Sequence, residues 1–446
     1  MSRIAGFFVR LFERLIPDPY IFAVVLTLLT AILAFIFAPH RAPAEVASAW
    51  YTGFFDIFAF ALQMILILVT GYALAASVPV ARALAWISER PGSPRGAVSL
   101  TLVVSAAACW LNWGFGLVVA GLLARSIAKR MRIDFGWIVA AAYSGFLVWA
   151  SGLSSSIALA QATPGSKLNI VQAHTGQVLP LSSMLFTRFN LIPAVAIVVA
   201  LALIFRSLQP ADTVTGDVSA LSGDVVVMDR TTTSTSRTLT FASALENAWI
   251  LNLILIVAGF SYLVWTWSRS GLSLDINSVI FIFFLAGLLL HWRPIAYVGA
   301  INSAARITGP LIIQYPLYGG IMGMMTLTGL AGVIARWFDA FATGGTLPFW
   351  SYLGSIIISL FVPSGGGHWA VQGPFAVPAA VHLHASLPGT AMGVAIGEEV
   401  ANMLQPFWAL PVLAIAGVSL RRVMPFTVIS FAVAFVIFGS SLLFLI

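Results

Sequence analysis

A chain of 446 residues that is 60% hydrophobic and only 8% charged is not an ordinary soluble domain, because such domains carry about 25% charged residues. The formal net charge of +7 does not indicate a nucleic-acid partner, since the basic residues lie between apolar segments, where they mark membrane topology. Composition therefore predicts an all-α integral membrane protein. The single cysteine, Cys109, excludes an intramolecular disulfide.

The amino-terminal stretch 1–17 carries three arginines beside apolar residues, a pattern typical of an amphipathic arm at the membrane surface. The apolar run that follows, near 18–38, is longer than the roughly 7–15-residue core of a secretory signal, so we expect a retained transmembrane helix. Eight further segments bring the predicted spanning helices to about nine. They lie near 53–77, 136–160, 181–206, 246–267, 275–291, 302–328, 388–418 and 423–446.

Two other apolar segments, 96–130 and 347–381, are each interrupted midway by a glycine cluster. The first breaks at 112–116 and the second at 363–368. An arm such as Val98–Leu111 has 14 residues and would rise only about 21 Å as a helix, whereas a bilayer core is about 30 Å thick. Both segments are therefore predicted to be re-entrant hairpins, whose polar tips are shielded by protein or line a water-filled cavity.

The polar stretch 207–245 is rich in Ser, Thr, Asp and Gly and is predicted to be a linker. It separates a first half, 18–206, from a connecting helix at 246–267 and a second half, 268–446. An ungapped offset of 251 residues aligns the two glycine clusters, and both halves show the same order of span, hairpin, broken span and final span. An odd number of crossings separates the two starts, so the sequence predicts an inverted-repeat secondary transporter.

The positions of lysine and arginine predict the orientation. If the amino terminus is cytoplasmic and each hairpin returns to the side it enters from, seventeen basic residues fall inside and five outside. The five outside are Arg41, Lys167, Arg188, Arg269 and Arg336. This asymmetry follows the positive-inside rule, so we expect a multi-pass protein with a cytoplasmic amino terminus.

The hairpin tips supply the first candidates for a binding site. Backbone amides at amino-terminal helix ends can bind a small carboxylate through amide donation and the helix dipole. Carbonyls at an unwound turn can instead hold a cation, and a tight turn without a ligand is the remaining alternative. The predicted substrate-binding residues at the tips are Asn112, Gly114, Gly116, Ser364, Gly365, Gly366, Gly367 and His368.

Two polar helix breaks follow the hairpins in the sequence. The first is 151–156, and the second is 402–406, where a proline frees a carbonyl four residues back. We expect Ser154, Asn402 and Gln405 to complete the binding cavity. Serines in membrane helices often bond only to neighbouring helices, which is the alternative for Ser154.

Glu398 and His368 are the predicted ion-coupling residues. A carboxylate at the bilayer centre costs roughly 2.5–3.5 kcal/mol on insertion scales, so its presence needs a reason. For Glu398, a protonatable or cation-coordinating role competes with an interfacial position or a pair with Arg306. His368 can carry a proton, and capping the hairpin is the alternative. The neighbouring Glu399 receives less weight.

Several motifs resemble the short-chain fatty acid transporter family, the bacterial acetoacetate and butyrate uptake type. The resemblance covers essentially the full length and rests on LIPDP (15–19), NWGFG (112–116), ATPG (162–165), PSGGGHW (363–369), QGPF (372–375), GE (397–398), NM (402–403) and QPFWALP (405–411). It implies a permease of the cytoplasmic (inner) membrane for short monocarboxylates. It also implies kinship with a wider ion-transporter superfamily that uses paired hairpins, often as homodimers. It assigns no role to any single residue.

These features predict a secondary transporter for short-chain monocarboxylates, from acetate to butyrate and including acetoacetate. Importing a monoanion against an inside-negative potential costs about 2.3 kcal/mol per 100 mV, which one co-transported H⁺ or Na⁺ cancels. A channel-like facilitator is the runner-up. An acyl-handling membrane enzyme is weaker, because no nucleophile–base or metal constellation accompanies His368 or Glu398. We expect no cofactor, metal or nucleic-acid partner. The exact substrate, the coupling ion, symport versus exchange and the oligomeric state stay open.

Overall fold

The computed structural model describes residues 19–210, 240–271, 274–306, 308–337, 340–360, 362–405 and 407–446. Within those ranges the chain consists of helices, turns and loops, without a strand. The all-α prediction is therefore confirmed for the described part. The predicted arm 1–17, most of the predicted linker (211–239) and Pro406 lie outside the described residues.

The helices of each half are labelled here in chain order. Those before the linker are α1 (Pro19–Phe37), α2 (Pro43–Asp56), α3 (Phe58–Ala75), α4 (Val78–Ser88), α5 (Pro94–Leu111), α6 (Trp113–Arg130), α7 (Phe135–Ser144, continued by a 3₁₀ turn at Gly145–Val148), α8 (Ser156–Ala162), α9 (Ile170–Thr175), α10 (Ser182–Leu185) and α11 (Arg188–Ser207). Those after it are α12 (Phe241–Glu246), α13 (Trp249–Ser270), α14 (Ile276–His291), α15 (Pro294–Ala305), α16 (Gly309–Leu327), α17 (Leu330–Trp337), α18 (Leu347–Ser359), α19 (Gly365–His382), α20 (Leu387–Ala401), α21 (Ala409–Ala416) and α22 (Leu420–Phe444).

Several described helices are long and apolar enough to cross a bilayer. Five stretches meet this condition in the described part of the chain: Pro43–Ala75, Pro94–Leu111, Arg188–Ser207, Trp249–Arg269 and Leu420–Phe444. A sixth is the pair Leu311–Leu327 and Leu330–Trp337, which is bent by 79°. The other predicted spans form shorter or broken helices, such as α7 with α8. The helices are those of a multi-pass membrane protein, whereas the number of nine spans stays a prediction.

The first arm of the first hairpin is longer than the sequence predicted. Ser93 caps α5 by accepting a hydrogen bond from the Gly96 amide at 3.2 Å, so the helix starts at Pro94 and has 18 residues rather than 14. A helix of that length rises about 27 Å, close to the thickness of a bilayer core. The prediction that this arm is too short to cross is therefore wrong for α5.

Both interrupted segments nevertheless fold back on themselves at their glycine clusters. Between α5 and α6 the chain turns at Asn112 alone, and Gly116 packs directly on the backbone of Cys109. In the second segment, the Oγ of Ser355 on α18 lies 3.0 Å from the Nε2 of His368 on α19. Each segment is a helical hairpin with its tip where the sequence placed it.

The helices of the two halves recur at a constant spacing. The offset of 251 residues carries α2 onto positions 294–307, and the observed helix α15 is Pro294–Ala305. The same offset carries α3, α4, α5 and α6 onto α16, α17, α18 and α19, with every end matching to within three residues. The weak alignment of the sequences is thus accompanied by helix boundaries that recur at the same offset.

The two halves interlock through helices that precede each hairpin. Gly53 on α2 lies against α16 so closely that a Cβ there would overlap the carbonyl oxygen of Gly319. On the other side, α14 packs on α3, where Gln63 Nε2 donates to Asn277 Oδ1 at 2.8 Å. Each half therefore packs against a helix of the other, α16 or α3, and the tip residues Asn112 and Ser364 are buried.

Candidate substrate-binding site

The hairpin tips and the helix breaks surround a narrow cavity with about 10 Å³ of free interior volume. One water molecule needs roughly 10–15 Å³, so the cavity is nearly closed in this conformation and has to widen before a short carboxylic acid can enter. Its lining comes from both halves: Met64, Trp113, Phe146, Trp149, Ser156, Tyr315, Ser364, Gly365 and Trp408. Of the residues predicted to bind substrate, Ser364 and Gly365 are in this lining.

The tip of the first hairpin is closed by hydrogen bonds within the protein. Asn112 caps α6, because its Oδ1 accepts from the Phe115 amide at 2.9 Å. The amide of Trp113 donates to the Oγ of Ser154 at 2.8 Å, which ties the tip to the first helix break. Gly114 packs on the backbone of Leu68. In this conformation Asn112, Gly114 and Ser154 hold the hairpin together, and none of them lines the cavity.

The tip of the second hairpin is open by comparison. Ser364 does not cap α19, since its Oγ donates instead to the hydroxyl of Tyr315 at 3.0 Å. The first three amides of a helix have no partner inside it, and no described side chain caps those of Gly365, Gly366 and Gly367. Gly365 faces the cavity, while the other two glycines pack on aromatic rings of α3 and α16. An uncapped helix amino terminus at a cavity is suited to an anion.

Glu398 lies directly beside this open tip. Its side chain is fully buried, and among the described residues the Asn402 amide interacts with its carboxyl group, without a hydrogen bond of good geometry. Its Oε2 is 3.0 Å from the point where a Cβ on Gly365 would lie. The same point would overlap the Oγ of Ser156, so the glycine leaves room for the three groups to approach each other. Arg306, the alternative partner weighed from the sequence, is exposed.

Glu399 has the opposite surroundings. Its Oε2 accepts from the amides of Ala150 at 2.6 Å and Ser151 at 3.3 Å, and its Oε1 accepts from the Ser151 hydroxyl at 3.3 Å. The carboxylate thus binds the unwound backbone of the first helix break. The sequence analysis gave this residue little weight, and the polar break in the other half was the signal that could have identified its partner.

The remaining predicted residues do not line the cavity but form hydrogen bonds between the elements around it. His368 Nε2 is 2.7 Å from Gln372 Oε1 and also contacts Ser355, so His368 links the two arms of its hairpin. Asn402 Oδ1 accepts from the indole of Trp149 at 3.1 Å. Gln405 Nε2 donates to the carbonyl of Ser359 at 3.3 Å. The two breaks and the second hairpin are therefore one hydrogen-bonded unit.

The structure adds an aromatic wall that the sequence analysis did not predict. Trp113, Phe146 and Trp408 line the cavity, and the ring of Trp408 contacts the other two, with 5.1 Å between the ring centroids of the two tryptophans. The positions of Trp113 and Trp408 next to the first tip and the second break could have indicated that these residues line the cavity. No group of three His, Cys, Asp or Glu side chains that could hold a metal occurs among the described residues.

An all-helical fold of long apolar helices, with paired hairpins meeting at a small internal cavity, defines an integral membrane transporter. Two solved transporters share this fold over nearly their whole length. The YdaH transporter of Alcanivorax borkumensis has a TM-score of 0.57 at 14% identity, covering 96% of this chain and 98% of that one. MtrF of Neisseria gonorrhoeae, described among antimetabolite efflux pumps, has a TM-score of 0.60 at 16% identity, covering 98% and 97%. At these identities the likeness concerns the fold alone.

Sequence comparison identifies the family. The model of the short chain fatty acid transporter family matches residues 1–445. A protein of Escherichia coli K12 that is provisionally named a short-chain fatty acid transporter is 40% identical over 441 residues, 98% of either chain. Its Haemophilus influenzae counterpart, with the same provisional name, is 36% identical over 450 residues and all of both chains. The chain belongs to the short-chain fatty acid transporter family, so the predicted resemblance is confirmed. It is a transport protein rather than an enzyme, which removes the acyl-handling alternative.

Proposed function

We propose that this protein moves short-chain monocarboxylates across the cytoplasmic membrane by alternating access, coupled to a proton. The observation that carries the proposal is the pairing of an open helix amino terminus with a buried carboxyl group. The uncapped start of α19 faces the cavity, and the buried carboxyl of Glu398, which makes no hydrogen bond of good geometry among the described residues, lies beside it.

The substrate carboxylate binds at the start of α19. Its oxygens accept from the free amides of the glycine run, and the positive end of the helix dipole stabilises the charge. The hydroxyls of Ser156 and Ser364, which line the same cavity, supply further donors. The alkyl chain then extends toward the aromatic wall, where it is shielded from water.

Glu398 couples this binding to a proton. Two carboxylates at neighbouring positions cannot both stay ionised in a buried site, so Glu398 binds the substrate anion only in its neutral form. The neutral acid can donate its O–H to the substrate. One proton therefore enters with each anion and cancels the roughly 2.3 kcal/mol per 100 mV that the membrane potential imposes on the anion. Na⁺ bound by an ionised Glu398 is the competing coupling ion.

In this proposal both hairpins are re-entrant. The positions of their tips along the neighbouring helices support this better than the lengths of their arms do. Gly367, near the second tip, packs on Tyr318, which is nine residues from either end of α16. Gly114, near the first tip, packs on Leu68, well inside α3. Tips that reach only the middle of spanning helices enter and leave on one side, as irregular backbone inside a bilayer requires protein around it.

The proposed orientation has a cytoplasmic amino terminus and halves of opposite direction. Three ion pairs join side chains that the orientation places on the same side of the membrane. They are Asp56–Lys167 outside, at 3.4 Å, and Glu89–Arg130 and Asp134–Arg422 inside, at 2.6 and 3.6 Å. The constant offset of 251 residues between corresponding helices supports a repeat, which the odd number of crossings makes inverted.

The decisive experiment measures uptake of labelled butyrate by proteoliposomes under an imposed proton gradient. Glu398→Gln keeps the size of the side chain and a hydrogen-bond donor but cannot release a proton. We expect this variant to lose accumulation above equilibrium, by at least about tenfold, and to retain exchange of internal for external butyrate. Glu45→Gln, which changes a half-exposed glutamate at the start of α2, is the matched control and keeps coupled uptake.

The same assay separates the alternatives. Uptake driven by Na⁺ but not by protons would contradict the choice of ion. Uptake that never exceeds equilibrium, whatever gradient is applied to the wild type, would favour a channel-like facilitator. Absence of any monocarboxylate uptake would overturn the proposal. A homodimer stays a prediction, for which cross-linking in the membrane is the direct measurement.

A further inference from the structure

The cavity has two chemically different walls. One is polar and contains Ser156, Ser364 and Gly365. The other contains Trp113 from the first tip and Trp408 from beyond the second break, whose rings meet edge to face at an interplanar angle of 68°. A short acid held by its carboxylate at the polar wall has its alkyl chain against these two rings.

The two tryptophans also carry unused donors. The Nε1 atoms of Trp113 and Trp408 are buried and have no hydrogen-bond partner among the described residues. By contrast, the indoles of Trp137, Trp149 and Trp369 donate to Phe205, Asn402 and Leu168 at 3.0–3.1 Å. Buried indole N–H groups usually find a partner, and leaving one unsatisfied is unfavourable. Two such donors in the lining of one cavity indicate a ligand that carries an acceptor.

We infer that Trp113 and Trp408 determine the specificity of the site, which rests on the proposed function. Their N–H groups donate to an oxo or hydroxyl oxygen on the alkyl chain of the substrate, so that oxidised short acids bind more tightly than plain ones. Their rings close the apolar end of the cavity and limit the chain length. The carboxylate is bound elsewhere, at α19, so the two recognition elements are separable.

Uptake by proteoliposomes of butyrate, 3-hydroxybutyrate and hexanoate tests this inference. Trp113→Phe and Trp408→Phe keep an aromatic ring but remove the N–H donor. We expect either variant to raise KM for 3-hydroxybutyrate by roughly two- to tenfold while KM for butyrate changes little, as for the loss of one neutral hydrogen bond. Trp408→Leu opens the apolar end, and we expect hexanoate uptake relative to butyrate to rise by roughly tenfold.

Two control variants separate specificity from general damage. Trp86→Phe changes an exposed tryptophan that stacks on Arg90, and Phe407→Leu changes a ring that touches Trp408 without lining the cavity. Both are expected to keep the wild-type ratios among the three acids. Equal ratios in the wild type and in both Trp→Phe variants would overturn the inference.

A measurement on the unaltered protein covers variants that do not fold. Indole ¹⁵N–¹H spectra of tryptophan-labelled wild type should show two resonances that shift with 3-hydroxybutyrate and much less with butyrate. The same shifts with both acids would overturn the role of the donors. Failure of the proposed function looks different, because the wild type would then take up none of the three acids.

Discussion

Glu398 and Glu399 are consecutive residues of α20 with opposite surroundings. Glu399 is held by three hydrogen bonds from the first helix break, whereas Glu398 makes no hydrogen bond of good geometry among the described residues and lies beside the open tip of α19. Hydrogen bonds fix the position of Glu399, whereas only the Asn402 side chain, in the described part of the chain, competes with a ligand for Glu398. We therefore expect Glu399 to stabilise the structure of the site and Glu398 to act on the ligand.

We predict that Glu399→Gln destabilises the fold without abolishing coupling. The substitution replaces one of the two carboxyl oxygens by an NH₂ group, which cannot accept from Ala150 or Ser151. A buried group left without its hydrogen-bond partner costs about 1–3 kcal/mol, so the free energy of unfolding should fall by a similar amount. Unfolding in detergent, followed by near-UV circular dichroism, measures the change.

Glu45→Gln is the control for this prediction, because the Glu45 carboxylate accepts from the Ala42 amide at 3.1 Å in an exposed position. There the change should stay within about 0.5 kcal/mol. Loss of gradient-driven uptake in Glu399→Gln with unchanged stability would contradict the division of roles between the two glutamates.

The sequence predicted the position of the site more accurately than the side chains that line it. The tips and breaks could be predicted because glycine clusters and prolines act locally on helix geometry. The sequence could not predict which tip is open, because that depends on hydrogen-bond partners far away in the chain. Ser154 satisfies the Trp113 amide across 41 residues, and Tyr315 takes the Ser364 hydroxyl across 49. Such contacts exist only after the helices within each half have packed.

At the scale of single elements, the crossing of α2 and α16 brings two helix backbones into close contact. Gly53 lies against Gly319 and Gly323, and a Cβ on any of the three would overlap backbone atoms of the opposite helix. Small residues at four-residue spacing allow membrane helices to pack in this way, because close backbones gain van der Waals contacts. This crossing joins the first half to the second.

We predict that Gly53→Leu destabilises the protein by pushing α2 away from α16. Overpacking a tight interface typically costs about 1–3 kcal/mol. Because the leucine side chain would overlap the backbone at both Gly319 and Gly323, we expect the free energy of unfolding to fall by about 3 kcal/mol or more. Chemical unfolding in detergent measures it. Gly92→Leu is the matched control, since a Cβ at Gly92 meets nothing within 4 Å. Equal stability of the two variants would show that the crossing contributes nothing.

Element boundaries were harder to predict than element types. The α5 arm was underestimated because the Ser93 cap and Pro94 start the helix before the apolar run begins. The span predicted at 136–160 consists of α7, a 3₁₀ turn and α8, and the polar break predicted at 151–156 lies between them. The sequence did not predict that the backbone at this break bonds to Glu399, because that residue lies far along the chain.

For the whole molecule, the orientation gives a direct test with introduced cysteines in a Cys109→Ala background. Lys167→Cys should react with a membrane-impermeant maleimide in intact spheroplasts, because the proposed topology places it outside. Arg90→Cys should react only after permeabilisation. Both parent side chains lie in polar loops or helix ends, and that of Lys167 is 62% exposed, so neither position needs unfolding to react. The reverse pattern would contradict the cytoplasmic amino terminus.

The interlocking of the halves limits how the cavity can change the side to which it opens. Helix α2 packs on α16, and α14 packs on α3. Moving the halves apart as two rigid bodies would therefore break both contacts at once. Under the proposed alternating access, these paired helices would therefore stay fixed. The hydrogen-bonded hairpins and unwound segments would then have to move relative to them, carrying the substrate between the two aqueous faces.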